Sequence, residues 1–174
     1  MPDAVADRGG FRSSLPPATA ARLIALLLPM ALLGGAFGSQ YFAGLYPCEM
    51  CWWQRYAHFV ALIFAVPAFL LPVESRASRT LVLLAALAIA VSGAIGVYHA
   101  GVEAKIFEGF TQCTATAKGL TPAETLNQII HAPLIRCDEV QFRFLGLSLA
   151  AWNAILSLGG AALILVLSLK GRRA

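Results

Sequence analysis

Four long apolar blocks dominate the chain, at roughly Leu23–Ala43, Trp52–Leu71, Thr80–Ala100 and Gly146–Leu169. Each is close to the about 20 residues that a helix needs to cross the hydrocarbon core of a bilayer. Pro29 and Pro67 fall inside the first two blocks, which membrane helices tolerate where neighbouring helices or waters satisfy the freed carbonyl. Ser92, Gly93 and Gly96 in the third block, and Gly159 and Gly160 in the fourth, are small residues of the kind that let such helices approach closely. The pattern predicts an all-α integral membrane protein, a four-helix bundle in a single domain over residues 1–174. The first 22 residues, with Gly9, Gly10, Pro16 and Pro17, read as a flexible polar leader. That leader is long and the hydrophobicity runs on to Leu45, so the first block is expected to stay as a span and not to be cleaved as a signal peptide.

The links are 44–51, a short stretch around Arg76 and Arg79, and a long segment, 101–145. Within the long one, Thr121-Pro122-Ala123-Glu124 is a capping box with proline at the first helical position. Leu126, Ile129 and Ile130 follow on one stripe and Pro133 ends the run, so a short amphipathic helix lying on the membrane surface is expected.

Composition sharpens this picture. The chain is 59% hydrophobic and 13% charged, with a mean hydropathy of +0.73, against roughly 45–50% and about 25% for soluble domains. A chain this short cannot bury so much apolar surface in its own core, so the surplus must face lipid. A soluble enzyme and a disordered tail are excluded. The net charge of +4 invites a nucleic-acid partner, but the basic residues stand in ones and twos between apolar blocks. They report orientation instead. Arg8, Arg12 and Arg22 precede the first span, Arg76 and Arg79 join the second to the third, and Lys170, Arg172 and Arg173 follow the fourth. These are eight of the 13 lysines and arginines, which puts both termini in the cytoplasm and segments 44–51 and 101–145 outside.

All four cysteines fall in the outward segments: Cys48 and Cys51 in the first, Cys113 and Cys137 in the second. Disulfides persist outside the cytoplasm, so the placement suggests thiol chemistry in an oxidising compartment; three pairings are open. Cys48-Glu49-Met50-Cys51 sits at the mouth of the second span, just after Pro47. Near a helix N-terminus the free N–H groups and the dipole favour a thiolate. Arg55, four residues after Cys51, shares a helical face with it about 6 Å along the axis. A guanidinium below the interface is costly without a partner, and a thiolate or a bound anion would serve; plain snorkelling is the blander reading. Static disulfides and a zinc site stay open, although zinc needs two further ligands and Cys113 and Cys137 lack the paired spacing of a zinc ribbon. His99 closes the third span on the same membrane face as Arg55. His58, seven residues after Cys51, reads as a hydrogen-bonded polar residue of the bundle interior.

Tyr46-Pro47-Cys48-Glu49-Met50-Cys51-Trp52-Trp53-Gln54-Arg55 resembles the P-C-x-x-C-x-x-x-R signature of the disulfide bond formation protein B (DsbB) family. Cys137, followed by Phe144-Leu145-Gly146-Leu147 and Trp152, is similar to that family's return to the membrane. The resemblance implies a thiol oxidase of the bacterial inner membrane. Such an oxidase reoxidises a DsbA-like periplasmic protein of thioredoxin fold and passes the electrons to a membrane quinone, ubiquinone or menaquinone. By position, Cys113 would be attacked by the partner's thiolate, Cys137 would be released to exchange with Cys48, and Cys51 would hold the thiolate that meets the quinone. Arg55 would stabilise that thiolate and the developing negative charge, and His99 would hydrogen-bond a quinone oxygen or supply a proton. The rival from another class is a non-catalytic membrane subunit whose cysteines brace the outer loops through disulfides or zinc.

Overall fold

The structure is a computed structural model that describes residues 15–109, 121–131 and 135–170. Its described elements are α1 (Pro17–Ala43), α2 (Glu49–Ala68), α3 (Arg76–Glu103), α4 (Pro122–His131), a two-stranded hairpin of β1 (Arg143–Phe144) and β2 (Leu147–Ser148), and α5 (Leu149–Lys170). The chain is mostly helical, as expected. α2 packs on α3, α3 on α5, and α1 on both α5 and α2.

The core between these helices is built from small side chains. Ala21 and Ala25 of α1, Ala61 and Ala65 of α2, and Ala85 of α3 are buried, with Ile89 and Ile164 among them. The large apolar residues point the other way: Ile63 is 65% exposed and Leu87 is 62% exposed. A soluble domain does the reverse. Small residues inside and leucine outside suit helices that meet through backbone contact and present their bulk to lipid tails. At Gly96 a Cβ would stand 3.0 Å from both the Ala150 oxygen and the Ala154 nitrogen, and at Gly93 it would stand 2.8 Å from Leu158. These two glycines therefore set how closely α3 meets α5. Gly160 is tight against Leu28 of α1, while Gly159 faces open space.

Among the described residues three helices, α1, α3 and α5, are long and apolar enough to cross a membrane. At the second expected span the helix differs from the sequence reading in two respects. α2 is long enough but not apolar enough, because Gln54, Arg55 and His58 dilute its hydropathy; all three are buried in the core. It also runs over Glu49–Ala68 and not 52–71, since Cys48 caps its start and the turn after Pro67 ends it. α1 and α3 begin six and four residues before the expected starts at Leu23 and Thr80. The fourth block opens as a hairpin, not a helix: Leu145 (φ 49°) and Gly146 (φ 83°) form its turn, a left-handed pair that a two-residue hairpin demands. Trp152 Nε1 donates to the Phe144 oxygen at 2.8 Å and ties the hairpin to α5.

The amphipathic helix is present as α4. Its capping box forms: the Thr121 N–H donates to Glu124 Oε2 at 2.8 Å, and the Glu124 N–H donates to Thr121 Oγ1 at 3.4 Å. The Thr121 hydroxyl, which donates to Glu124 Oε2 at 2.7 Å, and then the Thr121 N–H hold the Glu124 carboxyl below its usual range. Leu126 and Ile130 are exposed. Cys113 lies outside the described residues.

Candidate active site

Pro47 and the extended backbone of Cys48 end the approach to α2, leaving Cys48 as its N-cap. The Cys48 sulfur accepts the Cys51 N–H at 3.4 Å. That bond fixes the first turn and brings the two sulfurs to 3.1 Å, with Cys48 donating to Cys51. Both are free thiols. Cys51 thus stands in the first turn, where sequence reading placed it, among helix N–H groups that favour a thiolate.

Cys137 arrives from more than eighty residues away, fully buried against Cys48, Met50 and Val102, and its side chain hydrogen-bonds Cys48. Its segment is pinned on both sides of the thiol. Lys105 Nζ donates to Asp138 Oδ2 at 2.6 Å and to the Asp138 carbonyl at 2.8 Å, Arg136 Nη2 donates to the same carboxylate at 2.9 Å, and Gln141 Nε2 donates to the Tyr46 oxygen at 2.9 Å. The two cations hold the Asp138 carboxyl well below its usual range, Arg136 having the larger effect. Hydrogen bonds with Cys137 and Cys51, followed by burial, push the Cys48 thiol up.

Arg55 is 6% exposed. Its guanidinium donates to Gln40 Oε1 at 2.6 Å and to the Ala36 carbonyl at 3.0 Å. It lies 4.7 Å from the centre of the Phe37 ring and 5.0 Å from that of Trp52. The direct partners are therefore α1 and two rings, with Cys51 one helical turn away. Arg55 and Cys51 both line a cavity of about 280 Å³ that opens between α1, α2 and α5. Leu33 and Ala36 of α1, and Trp152 of α5, form part of its wall.

His99 joins this group, its Nε2 3.6 Å from Cys48 Sγ and its Nδ1 2.9 Å from Gln54 Nε2. The ligand atoms of Cys48, Cys51 and His99 lie within 4.8 Å of one another. Sequence reasoning missed Gln40, Gln54, Ser92 and Asn153. A polar amide inside each of three apolar blocks was the available signal. His58 is the expected interior polar residue: its Nε2 is 2.9 Å from Asn153 Oδ1 and 3.0 Å from Ser92 Oγ.

A helical membrane protein that gathers three cysteines at one end, above an apolar cavity with a fixed arginine, belongs to the class built for thiol–disulfide chemistry. Residues 18–167 match the family described as disulfide bond formation protein DsbB, and the chain belongs to that family. Similar relatives named disulfide bond formation protein B come from Xanthomonas oryzae pv. oryzae (strain MAFF 311018) and Azoarcus sp. (strain BH72). The first is 28% identical over 87% of this chain and 90% of its own length, the second 31% identical over 82% and 87%. A third, from Marinobacter nauticus, is 26% identical over 76% of this chain and 80% of its own length. No solved structure matches. The chain is thus a multi-pass bacterial membrane protein of disulfide bond formation.

Proposed function

We propose that this protein is an inner-membrane thiol oxidase that reoxidises a DsbA-like periplasmic dithiol protein and delivers the electrons to a membrane quinone, ubiquinone or menaquinone. The observation that carries the reading is the placement of Cys137 against Cys48, beside Cys51, at a cavity that Arg55 lines. In this reading α2 is a fourth span whose polar face is covered by its neighbours, both termini are cytoplasmic, and α4 rests on the periplasmic membrane surface through Leu126 and Ile130.

The residues suit the chemistry. Released from Cys113 by the partner's attack, the Cys137 thiolate attacks Cys48 of a Cys48–Cys51 disulfide. One S–S bond forms, one breaks, and the electron pair leaves on Cys51. The thiolate so formed lies in the first turn of α2, one turn from a cation that needs no reorganisation, because Gln40 and Ala36 already hold it. Bound in the cavity, a quinone would supply the acceptor for two electrons and two protons. The apolar wall fits its ring and excludes water, while Arg55 and His99 offer polar contacts at one end.

Purified protein mixed with the reduced partner and a quinone analogue tests the reading. Loss of quinone absorbance that disappears in Cys51→Ser supports it, and no turnover with any quinone overturns it. A partner lacking its second, resolving cysteine should accumulate a mixed disulfide with Cys113, Cys137 being the thiolate that leaves. A bracing role through zinc has one observation in its favour, the Cys48, Cys51 and His99 cluster. Stoichiometric zinc in the purified chain, with unfolding on chelation, would establish that role.

A further inference from the structure

The buried amides decide which nitrogen of His99 carries the proton. Asn153 Nδ2 lies 3.1 Å from the Ser92 carbonyl, and a backbone carbonyl only accepts, so that atom is the amide nitrogen. It therefore donates to Gln54 Oε1 at 2.8 Å. The Gln54 orientation is fixed a second time, because its Nε2 donates to the Met50 carbonyl at 3.2 Å. The same Nε2 is 2.9 Å from His99 Nδ1, so Nδ1 must accept. In the neutral ring the proton then sits on Nε2, which is 3.6 Å from Cys48 Sγ; the ring also hydrogen-bonds the Cys137 backbone. Glu103 Oε1, at 3.8 Å, is beyond hydrogen-bond reach. The chain of constraint continues to His58, whose Nε2 faces the Asn153 oxygen at 2.9 Å.

We propose that Gln54 and Asn153 are positioning residues that hold the His99 proton on Nε2, aimed at Cys48, so that His99 stabilises Cys48 as a leaving thiolate. The inference deepens the oxidase reading and rests on it for its biological meaning. The step is an attack by a protein thiolate on Cys137 of a Cys48–Cys137 disulfide. A new S–S bond forms at Cys137, the Cys48–Cys137 bond breaks, and its electron pair departs on Cys48, where the Nε2–H meets the charge. The need is real, since Cys48 is buried, burial disfavours its thiolate, and a sulfur that resists ionisation leaves slowly. The arrangement also turns the Nε2 lone pair, which a metal at the cysteine pair would require, into a donor.

Two readouts test this without partner or quinone, so their outcome is separate from any failure of turnover. The first is ¹⁵N spectroscopy of labelled histidines in the reduced full-length chain, with the His99 signals identified by their loss in His99→Gln. The expected wild-type ring has its proton on Nε2. Gln54→Glu, nearly isosteric, replaces the donor by an acceptor and should move the proton to Nδ1, whereas Asn153→Leu should give a mixture. The second readout is the rate at which dithiothreitol opens the Cys48–Cys137 disulfide in a chain carrying Cys51→Ser and Cys113→Ser. It should fall about a hundredfold with Gln54→Glu, the low end of the range for a positioned proton donor. A wild-type proton on Nδ1, or an opening rate unchanged once the proton has moved, overturns the proposal.

Discussion

Two arginines are buried among the described residues, and the contrast between them separates structure from chemistry. Arg22 is 5% exposed and Arg55 is 6% exposed. Each donates to a helix carbonyl, Arg22 to Ala68 and Arg55 to Ala36. Each lies 4.7 Å from a phenylalanine ring centre, Phe69 for Arg22 and Phe37 for Arg55. The difference is in what stands beside them. Arg22 closes the last residue of α2, together with Ser78, which donates to the same oxygen at 3.3 Å. A cation there satisfies an end carbonyl and complements the helix dipole, next to a void of only about 20 Å³. Arg55 borders the large cavity and shares its helix face with Cys51. One arginine finishes a helix; the other holds a positive charge at the cavity, one turn from the Cys51 sulfur. Burial and a ring contact are common to both, so neither feature alone marks a functional arginine.

The contrast can be broken in order of expected effect. Cys51→Ser should abolish quinone-linked turnover altogether while leaving the fold intact, as read by oxidation assay and circular dichroism. Arg55→Met should lower kcat/KM for the quinone about a hundredfold, the scale of one preorganised charge-stabilising group, with little change in thermal stability. Arg22→Met should do the opposite, keeping turnover and destabilising by about 1.5–3 kcal/mol through the lost charge-assisted bond to the Ala68 carbonyl. Equal losses of activity in both arginine variants would erase the distinction. Gly96→Val should force α3 from α5 and destabilise by about 1–3 kcal/mol, as overpacking does.

The smallest effect concerns the Cys137 segment. Asp138→Asn should weaken its tether by about 0.2–1 kcal/mol, as for partly exposed ion pairs, and slow exchange with Cys48 a few-fold. Because the Asp138 carboxyl is held below its usual range, this stabilisation is present above the ordinary carboxylate pKa and is lost as pH falls through that range and below. An exchange rate in Asp138→Asn with the same acid dependence as wild type would remove Asp138 from the account.

Much of this was legible in the chain. Long apolar blocks have to become helices in lipid, because no other local structure satisfies their backbone there. That logic located α1, α3 and α5 to within a few residues, and the capping box located α4. The C-x-x-C, Arg55 and His99 were visible for a related reason: a polar or reactive group beside a membrane span is expensive to keep. The second span was harder to place because its hydrophobicity is diluted by Gln54, Arg55 and His58, residues whose cost vanishes once Gln40, Ser92 and Asn153 surround them. Gly93 and Gly96 were recognisable as packing residues, but Gly159 looked the same and faces open space.

Local sequence therefore determined the membrane habit, the helices and the candidate site residues, because each follows from hydrophobicity, capping and residue chemistry within a few positions. Only the tertiary structure decided that Cys137 meets Cys48, that Arg55 is held by α1, and that a chain of amides points the His99 proton at sulfur. Those contacts join residues 15 to 99 positions apart. A hydrogen bond's direction depends on every partner at once, which no stretch of sequence contains.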